Sequence, residues 1–213
     1  MNFRILLLTL LILQVTGCRQ DQSEELPFFI SNDYTPIWPA ESGESKADMH
    51  KVKDFEFTDQ NGEMVNNETF TNKIYVTDFF FTTCPSICPT LTKNMMQLQD
   101  AFAKDDDILL LSHTVMPWVD TVEKLNAYAE GYGIKYGKYF LATGDEEKIY
   151  DMARTAYFAD EEFGFTADES DFLHTEKFIL VDKERHIRGI YSGIVESDVG
   201  RLMLDIRTLQ KEY

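Results

Sequence analysis

Hydrophobic and polar residues follow one another along this chain in patterns that predict strands and helices in turn. Residues 73–81 (KIYVTDFFF) form a nearly continuous apolar run, which is typical of a strand buried on both faces of a sheet. Residues 107–115 (DILLLSHTV) repeat that pattern. Residues 89–102 and 119–132 instead place their apolar side chains three and four positions apart, as amphipathic helices do. Shorter strands are predicted at 139–142, 176–181 and 186–192, and further helices at 145–156 and 195–209.

Hairpins are expected on both sides of this alternating region. Asn61-Gly62 marks a tight turn between two short strands at its start. Residues 182–185 turn one strand back into the next near the end of the chain. Strands that alternate with helices build largely parallel sheets covered on both faces. We therefore predict an α/β, thioredoxin-like fold with an N-terminal β-hairpin and an inserted β-hairpin before the C-terminal helix.

The chain begins with a segment that has the pattern of an export signal. Arg4 supplies a positive charge, and the apolar run at 5–13 is too short to span a bilayer. Val15-Thr16-Gly17-Cys18 is the ending of a bacterial lipoprotein signal, in which the cysteine becomes the lipidated first residue. An ordinary signal peptide with an incidental Cys18 is the alternative. We expect three regions, a lipoprotein signal peptide at 1–17, a lipidated tether at 18–48 and one folded domain at 49–213.

Export changes the interpretation of both the charge and the cysteines. The net charge of −17 argues against a nucleic-acid partner, because binding to phosphates requires clusters of Lys and Arg. Lipid on Cys18 would leave Cys84 and Cys88 to act together, in a compartment that does not keep thiols reduced. We expect an extracytoplasmic lipoprotein, attached to the membrane by its lipid on the periplasmic side.

Cys84 and Cys88 lie between the predicted strand at 73–81 and the predicted helix at 89–102. In parallel α/β folds, ligands gather at the carboxyl ends of strands. A helix N-terminus favours a thiolate over a thiol, which suits both cysteines to redox or metal chemistry. The three intervening residues allow a disulfide or a shared metal ion, and thiolates favour Cu(I) although they also bind Zn²⁺. A purely structural disulfide is the remaining alternative.

A third ligand for Cu(I) must come from elsewhere in the chain. His174 directly precedes the predicted strand at 176–181, and in thioredoxin-like folds this junction lies beside the cysteine pair. Oxidoreductases of that fold usually have a cis-proline at the junction, whereas this chain has His174-Thr175 and no proline after Pro117. We therefore expect His174 to be a metal ligand. Surface positions are expected for two of the other histidines, His50 and His186.

Three short motifs of this chain carry a family resemblance: Phe81-Thr82-Thr83-Cys84-Pro85-Ser86-Ile87-Cys88-Pro89, His174-Thr175 and Leu180-Val181-Asp182. Together they resemble the SCO/SenC family of copper chaperones for cytochrome c oxidase assembly, and the resemblance runs from about residue 51 to the C-terminus. It implies that Cys84, Cys88 and His174 bind one copper ion, with Cu(I) favoured and Cu(II) also accommodated. It implies delivery of copper to the copper-site subunit of the oxidase, or to another extracytoplasmic copper or thiol protein.

The chain departs from the family pattern after the second core strand. Family members often read S-x-D-P there, and the acid lies near the metal. This chain has Met116-Pro117 at the matching place, with Asp120 following. The missing acid favours Cu(I) over Cu(II), and we consider His113 and Met116 as further residues close to the metal.

These features favour a monomeric metallochaperone that binds and relays copper without turning over a substrate. The alternative is an extracytoplasmic thiol–disulfide oxidoreductase, an enzyme that would use Cys84 and Cys88 without metal. His174 would be dispensable to that enzyme, so a His174 variant distinguishes the two hypotheses.

Overall fold

The computed structural model of the chain describes residues 25–159 and 175–213. Its centre is a five-stranded sheet with the strand order β5-β4-β3-β6-β7. The strands are β3 (Ile74–Phe80), β4 (Ile108–Thr114), β5 (Tyr139–Ala142), β6 (Lys177–Val181) and β7 (Ile187–Ser192). The first three pair in parallel, and β6 and β7 add antiparallel strands. The predicted α/β layout, with a late antiparallel hairpin, is confirmed.

Within the described residues, a two-stranded hairpin and five α-helices surround this sheet. The hairpin pairs β1 (Glu56–Thr58) with β2 (Met64–Asn66), and Gly62 in its turn has a φ of 79°, which favours glycine. Helix α4 continues into a π-helical turn over Met152–Ala156. The helices are α1 (Pro39–Ser42), α2 (Cys88–Ala101), α3 (Val122–Tyr132), α4 (Glu146–Asp151) and α5 (Glu196–Lys211).

Each face of the sheet is covered by its own hydrophobic core, because successive side chains of a strand point to opposite faces. All seven residues of β3 are buried. Phe79 packs into the hairpin-side core, which also contains Phe57 of the β-hairpin. Phe80 packs into the helix-side core, which also contains Leu91 of α2 and Leu202 of α5. Odd-numbered residues of β3, such as Phe79, therefore face the hairpin-side core, and even-numbered residues, such as Phe80, face the helix-side core.

The segment that precedes the predicted domain packs along the outer edge of β7. The Phe29 N–H donates to the Ile187 carbonyl oxygen at 3.0 Å. Phe28 is buried, with the guanidinium of the buried Arg188 4.1 Å from the centre of its ring. Part of the region predicted as a tether is thus fixed to the sheet, starting no later than Leu26, whose carbonyl accepts a hydrogen bond from Arg188.

His186 is buried, so the prediction of a surface position for it is wrong. Its side chain is 1% exposed, because Phe28 from the N-terminal segment packs edge-on against its ring. The ring Nδ1 lies 3.0 Å from the carbonyl oxygen of His50. His50 itself is half-buried, with its Nε2 2.8 Å from the carbonyl oxygen of Ala156.

Within residues 25–159 and 175–213, none of the helices combines the length and the apolar character needed to cross a membrane.

Candidate metal centre

The candidate metal centre is built where β3 leaves the sheet. A turn follows the strand, and the Cys84 N–H donates to the Phe81 carbonyl oxygen at 3.3 Å. Helix α2 then begins at Cys88, with Pro89 in its first turn, where a missing N–H removes no helical hydrogen bond. The two cysteines therefore lie at the carboxyl end of a central strand, as the sequence predicts.

The two thiols have different surroundings. Both are free, so the disulfide considered from the sequence is not formed in this structure. Cys88 is 3% exposed and belongs to the helix-side core, whereas Cys84 is half-buried at its border. A buried and an accessible thiol thus stand next to each other, both able to act as soft donors to one metal ion.

Local hydrogen bonds favour the thiolate of Cys84. Burial raises the pKa of Cys84, but the backbone N–H groups of Cys88, Ser86 and Ile87 and the Cys88 thiol together lower it by more. These N–H groups lie in the first residue of α2 and in the two residues before it, and at a helix N-terminus unpaired donors and the helix dipole stabilise negative charge. The net pKa of Cys84 lies below that of an ordinary cysteine.

Cys88 shows the opposite shift. Burial raises the pKa of its thiol to about 12, against the effect of a hydrogen bond from the Phe81 backbone. The nearby Cys84 and the carboxylate of Asp78 raise it further. The expectation that the helix N-terminus would favour both thiolates is therefore met by Cys84 alone, because Cys88 points into the core.

Sequence reasoning missed a buried polar group on the same face of the sheet as Cys88. Asp78 is 1% exposed in β3, and the Ser112 hydroxyl of β4 donates to its carboxylate. Ser112 also lies 2.7 Å from the Tyr139 hydroxyl of β5. Burial raises the pKa of Asp78 to about 7, despite the hydrogen bond from Ser112. The sequence signal was an acid within the otherwise apolar run of residues 73–81.

His113 and Met116 lie on the other side of the sheet from Cys88. The His113 ring stacks on Phe79 with 5.2 Å between ring centres, inside the hairpin-side core. Met116 is half-buried and packs against that same core. The structure does not bring either side chain together with the two thiols, although both were considered close to the metal.

Asp120 is a second buried acid near the site, directly before the start of α3. Thr121 caps α3 by accepting the Lys124 N–H at 3.4 Å. The Asp120 carboxylate is 0% exposed and accepts hydrogen bonds from Thr82 and Thr114. It therefore connects the loops that leave β3 and β4.

Two predicted site residues, His174 and Cys18, lie outside the described residues. Thr175, the residue after His174, is described and is 6% exposed. The antiparallel register that pairs Thr77 with Ile179, continued along the strands, brings Thr175 level with Phe81. In the described part of the chain, no group of three or more His, Cys, Asp or Glu side chains could hold a metal ion.

Comparison with known proteins identifies the family. The SCO1/SenC family model matches residues 43–209. The SCO1 protein homolog of Bacillus subtilis (strain 168) is 26% identical over 164 residues, which cover 75% of this chain and 82% of the relative.

Solved structures share the fold. A SCO1/SenC family lipoprotein from Bacillus anthracis str. Ames is 26% identical, with a TM-score of 0.66 over 76% of this chain and 95% of the other. ScoI of Bradyrhizobium japonicum, whose structure has copper bound, is 20% identical, with a TM-score of 0.60 over 75% of this chain and 99% of the other. The thioredoxin-like fold is confirmed. The family match spans more than half of the sequence, and the chain belongs to the SCO1/SenC family.

Proposed function

We propose that this protein binds copper through Cys84, Cys88 and His174, and delivers it to the dinuclear copper site of cytochrome c oxidase during assembly of the enzyme. Copper is the cargo in this proposal, received and released by exchange of ligands. The observation that carries it is the pair of free thiols just after the end of β3, together with the β3–β6 register, which when continued brings Thr175 level with Phe81. The copper-bound ScoI relative with the same fold supports the choice of metal.

The donor set of this site fits Cu(I). Two thiolates are soft ligands, and an imidazole is an acceptable third. Met116 packs against the opposite core, and it replaces the acid that many family members have near the metal. Without a carboxylate oxygen from that position, the ligands available to this chain favour Cu(I) over Cu(II).

The different thiols suggest an order for copper transfer. Cys84 is accessible and has a lowered pKa, so it is the group that a donor or acceptor protein can reach first. Cys88 is buried with a raised pKa and must lose its proton when metal binds. Both thiols must be reduced to bind copper, so oxidation to a disulfide would prevent loading.

Attachment to a membrane is a further part of the proposal. The lipoprotein signal ending at Cys18 would place the domain outside the cytoplasm, held by lipid on the periplasmic side. The matched structure from Bacillus anthracis is described as that of a lipoprotein, which supports this arrangement.

The asymmetry of the thiols also favours a second function, thiol–disulfide exchange. The Cys84 thiolate would attack a partner disulfide, forming a mixed disulfide and releasing one partner thiolate. Cys88 would then attack Cys84, lose its proton, and release the second partner thiol. The net result is a Cys84–Cys88 disulfide and a partner reduced by two electrons, with no need for His174.

Titration of the reduced chain with Cu(I), in competition with a chelator, separates the two functions. We expect one tightly bound Cu(I) per wild-type chain and a loss of affinity of at least about tenfold in His174→Ala. Met116→Leu is the matched control, and it should retain wild-type affinity because Met116 packs away from the thiols. Equal affinity of wild type and His174→Ala, with an intact thiol-reductase activity in both, would favour the oxidoreductase.

A further inference from the structure

We infer that Asp120 is a positioning residue for the copper site, whose carboxylate fixes the turn that presents Cys84. This inference rests on the proposed function, because it concerns how well the two thiols are placed to share one Cu(I). Asp120 does not touch either sulfur, and its effect would act through Thr82.

The Asp120 carboxylate accepts three hydrogen bonds although it is 0% exposed. Its Oδ2 accepts the Thr82 N–H at 3.0 Å and the Thr114 hydroxyl at 2.6 Å. Its Oδ1 accepts the Thr82 hydroxyl at 2.5 Å. The Nζ of Lys124 lies 3.8 Å from Oδ1. Buried carboxylates are retained where several donors converge on them, and here those donors come from the exits of two neighbouring strands.

Thr82 is the second residue of the turn from Phe81 to Cys84. The turn is closed by the hydrogen bond from the Cys84 N–H to the Phe81 carbonyl oxygen. The Phe81 backbone also makes a hydrogen bond to the sulfur of Cys88. One turn therefore touches both proposed sulfur ligands, and Asp120 holds its second residue by main chain and side chain together.

The loop after β4, which carries Asp120, is also held in place by hydrogen bonds. Thr114 is the last residue of β4, and its hydroxyl accepts the Met116 N–H at 3.0 Å while donating to Asp120. The Asp120 N–H donates to the Met116 carbonyl oxygen at 2.8 Å. The loop after β4 thus holds the carboxylate in place, and the carboxylate in turn holds the loop after β3.

An amide cannot replace this carboxylate without loss. Three donors converge on its two oxygens, whereas asparagine presents one oxygen and an NH₂ group that can only donate. In Asp120→Asn, the amide oxygen could still accept the Thr82 N–H and the Thr114 hydroxyl, but the NH₂ group would force the Thr82 hydroxyl to accept instead of donate. All three hydrogen bonds would also lose the negative charge that strengthens them. We expect the turn to lose its fixed geometry while the hydrophobic cores on the two faces of the sheet remain.

The test compares Cu(I) affinity of the full reduced chain, by competition with a chelator, in four variants. Asp120→Asn should weaken Cu(I) binding about tenfold or more, the usual effect of removing a group that orients metal ligands. Thr82→Val removes one donor and should weaken binding, whereas Thr82→Ser restores the hydroxyl and should match wild type. Asp59→Asn is the matched control, because Asp59 is also buried and accepts the backbone N–H groups of Asn61 and Glu63.

The alkylation rate of Cys84 is a second readout that a loss of stability alone does not predict. It should change in Asp120→Asn and Thr82→Val but remain at the wild-type value in Thr82→Ser and Asp59→Asn. Circular dichroism and the urea midpoint show which variants are folded. If Asp120→Asn does not fold, the comparison of Thr82→Val with Thr82→Ser still decides, because Thr82 is only half-buried.

Two outcomes overturn the inference, and they can be distinguished. If wild type binds Cu(I) tightly and folded Asp120→Asn and Thr82→Val bind it equally well, Asp120 does not position the site. If wild type itself binds no better than Cys84→Ser, the proposed copper function fails and the inference fails with it.

Discussion

Phe79 in β3 and His113 in β4 are paired residues of neighbouring strands, and their rings stack with 5.2 Å between centres. The His113 ring is 0% exposed, and neither of its nitrogens has a hydrogen-bond partner among the described residues. Phe55, Phe57 and Tyr157 surround the rest of the ring. Burial lowers the pKa of His113 to about 3, so the folded protein holds this imidazole neutral.

Replacing His113 with phenylalanine should increase stability in acid. An unfolded histidine has a pKa of about 6.5, so between pH 6.5 and 3 the unfolded chain binds a proton that the folded chain does not. The stability contributed by neutral His113 is present above pH 6.5 and is lost as the pH falls. At pH 5 the loss is about 2 kcal/mol, and His113→Phe removes it. Urea unfolding of both proteins at pH 7.5 and pH 5 measures the difference; the same change in stability with pH in both proteins would contradict the prediction.

Asp78 should have the opposite dependence on pH. Its folded pKa of about 7 exceeds the ordinary value of 3.8, so the folded chain binds a proton more tightly than the unfolded chain does. This contribution is present at low pH and is lost as the pH rises through 7. Between pH 7.5 and 5 it amounts to about 2 to 3 kcal/mol.

Asp78→Asn should therefore abolish a gain in stability on acidification, while His113→Phe abolishes a loss. In the wild type the two effects oppose each other between about pH 4 and 6.5, so only the variants separate them. Urea midpoints measured for both variants across this range provide the check. Parallel pH profiles for the two variants would contradict the assignment of opposite signs.

Local sequence patterns were sufficient to predict the position of the cysteine pair. The apolar run that ends before Cys84 and the proline after Cys88 already define a strand and a helix start, since both depend on neighbouring residues alone. Burial depends on residues far apart in sequence. The surface prediction for His186 failed because Phe28, from the N-terminal segment, covers its ring.

The same limit explains why the two thiols could not be distinguished beforehand. The start of a helix affects both cysteines in sequence, but the packing of α2 on the sheet buries only Cys88 deeply. The effect of Asp78 on Cys88 likewise depends on the folded structure, in which β3 and α2 place the two side chains close enough to interact. His174 was selected by its position relative to a predicted strand, and its place at the metal stays a prediction.

Alkylation should distinguish the two thiols of the reduced, metal-free protein. At pH 7.5 we expect iodoacetamide to modify Cys84 rapidly, because it is partly exposed and its pKa is lowered. Cys88 should remain unmodified, because it is 3% exposed and its pKa is about 12. Peptide mapping by mass spectrometry identifies the modified residue, and modification in urea, where both should react, is the control. Equal rates for the two thiols in the folded protein would refute the asymmetry.

Arg188 should be essential for attachment of the N-terminal segment to the sheet. Its side chain is 1% exposed, donates to the carbonyl oxygens of Leu26 and Pro27, and forms ion pairs with Asp182 and Glu212. Arg188→Met would leave the buried Asp182 carboxylate without its cation. We expect this to lower the free energy of unfolding by about 3 to 5 kcal/mol.

The same substitution should release the N-terminal segment around Phe28 and Phe29 from β7 before the whole domain unfolds. Limited proteolysis with trypsin should then cleave Arg188→Met faster than wild type at Lys46 and Lys51. Arg201→Met is the control, because Arg201 is 58% exposed and its ion pair with Asp198 on α5 should contribute no more than about 1 kcal/mol. Urea unfolding measures the stability of both variants. Unchanged cleavage in a destabilised Arg188→Met would show that backbone pairing of the segment with β7 is sufficient to hold it, as in the bond from Phe29 to Ile187.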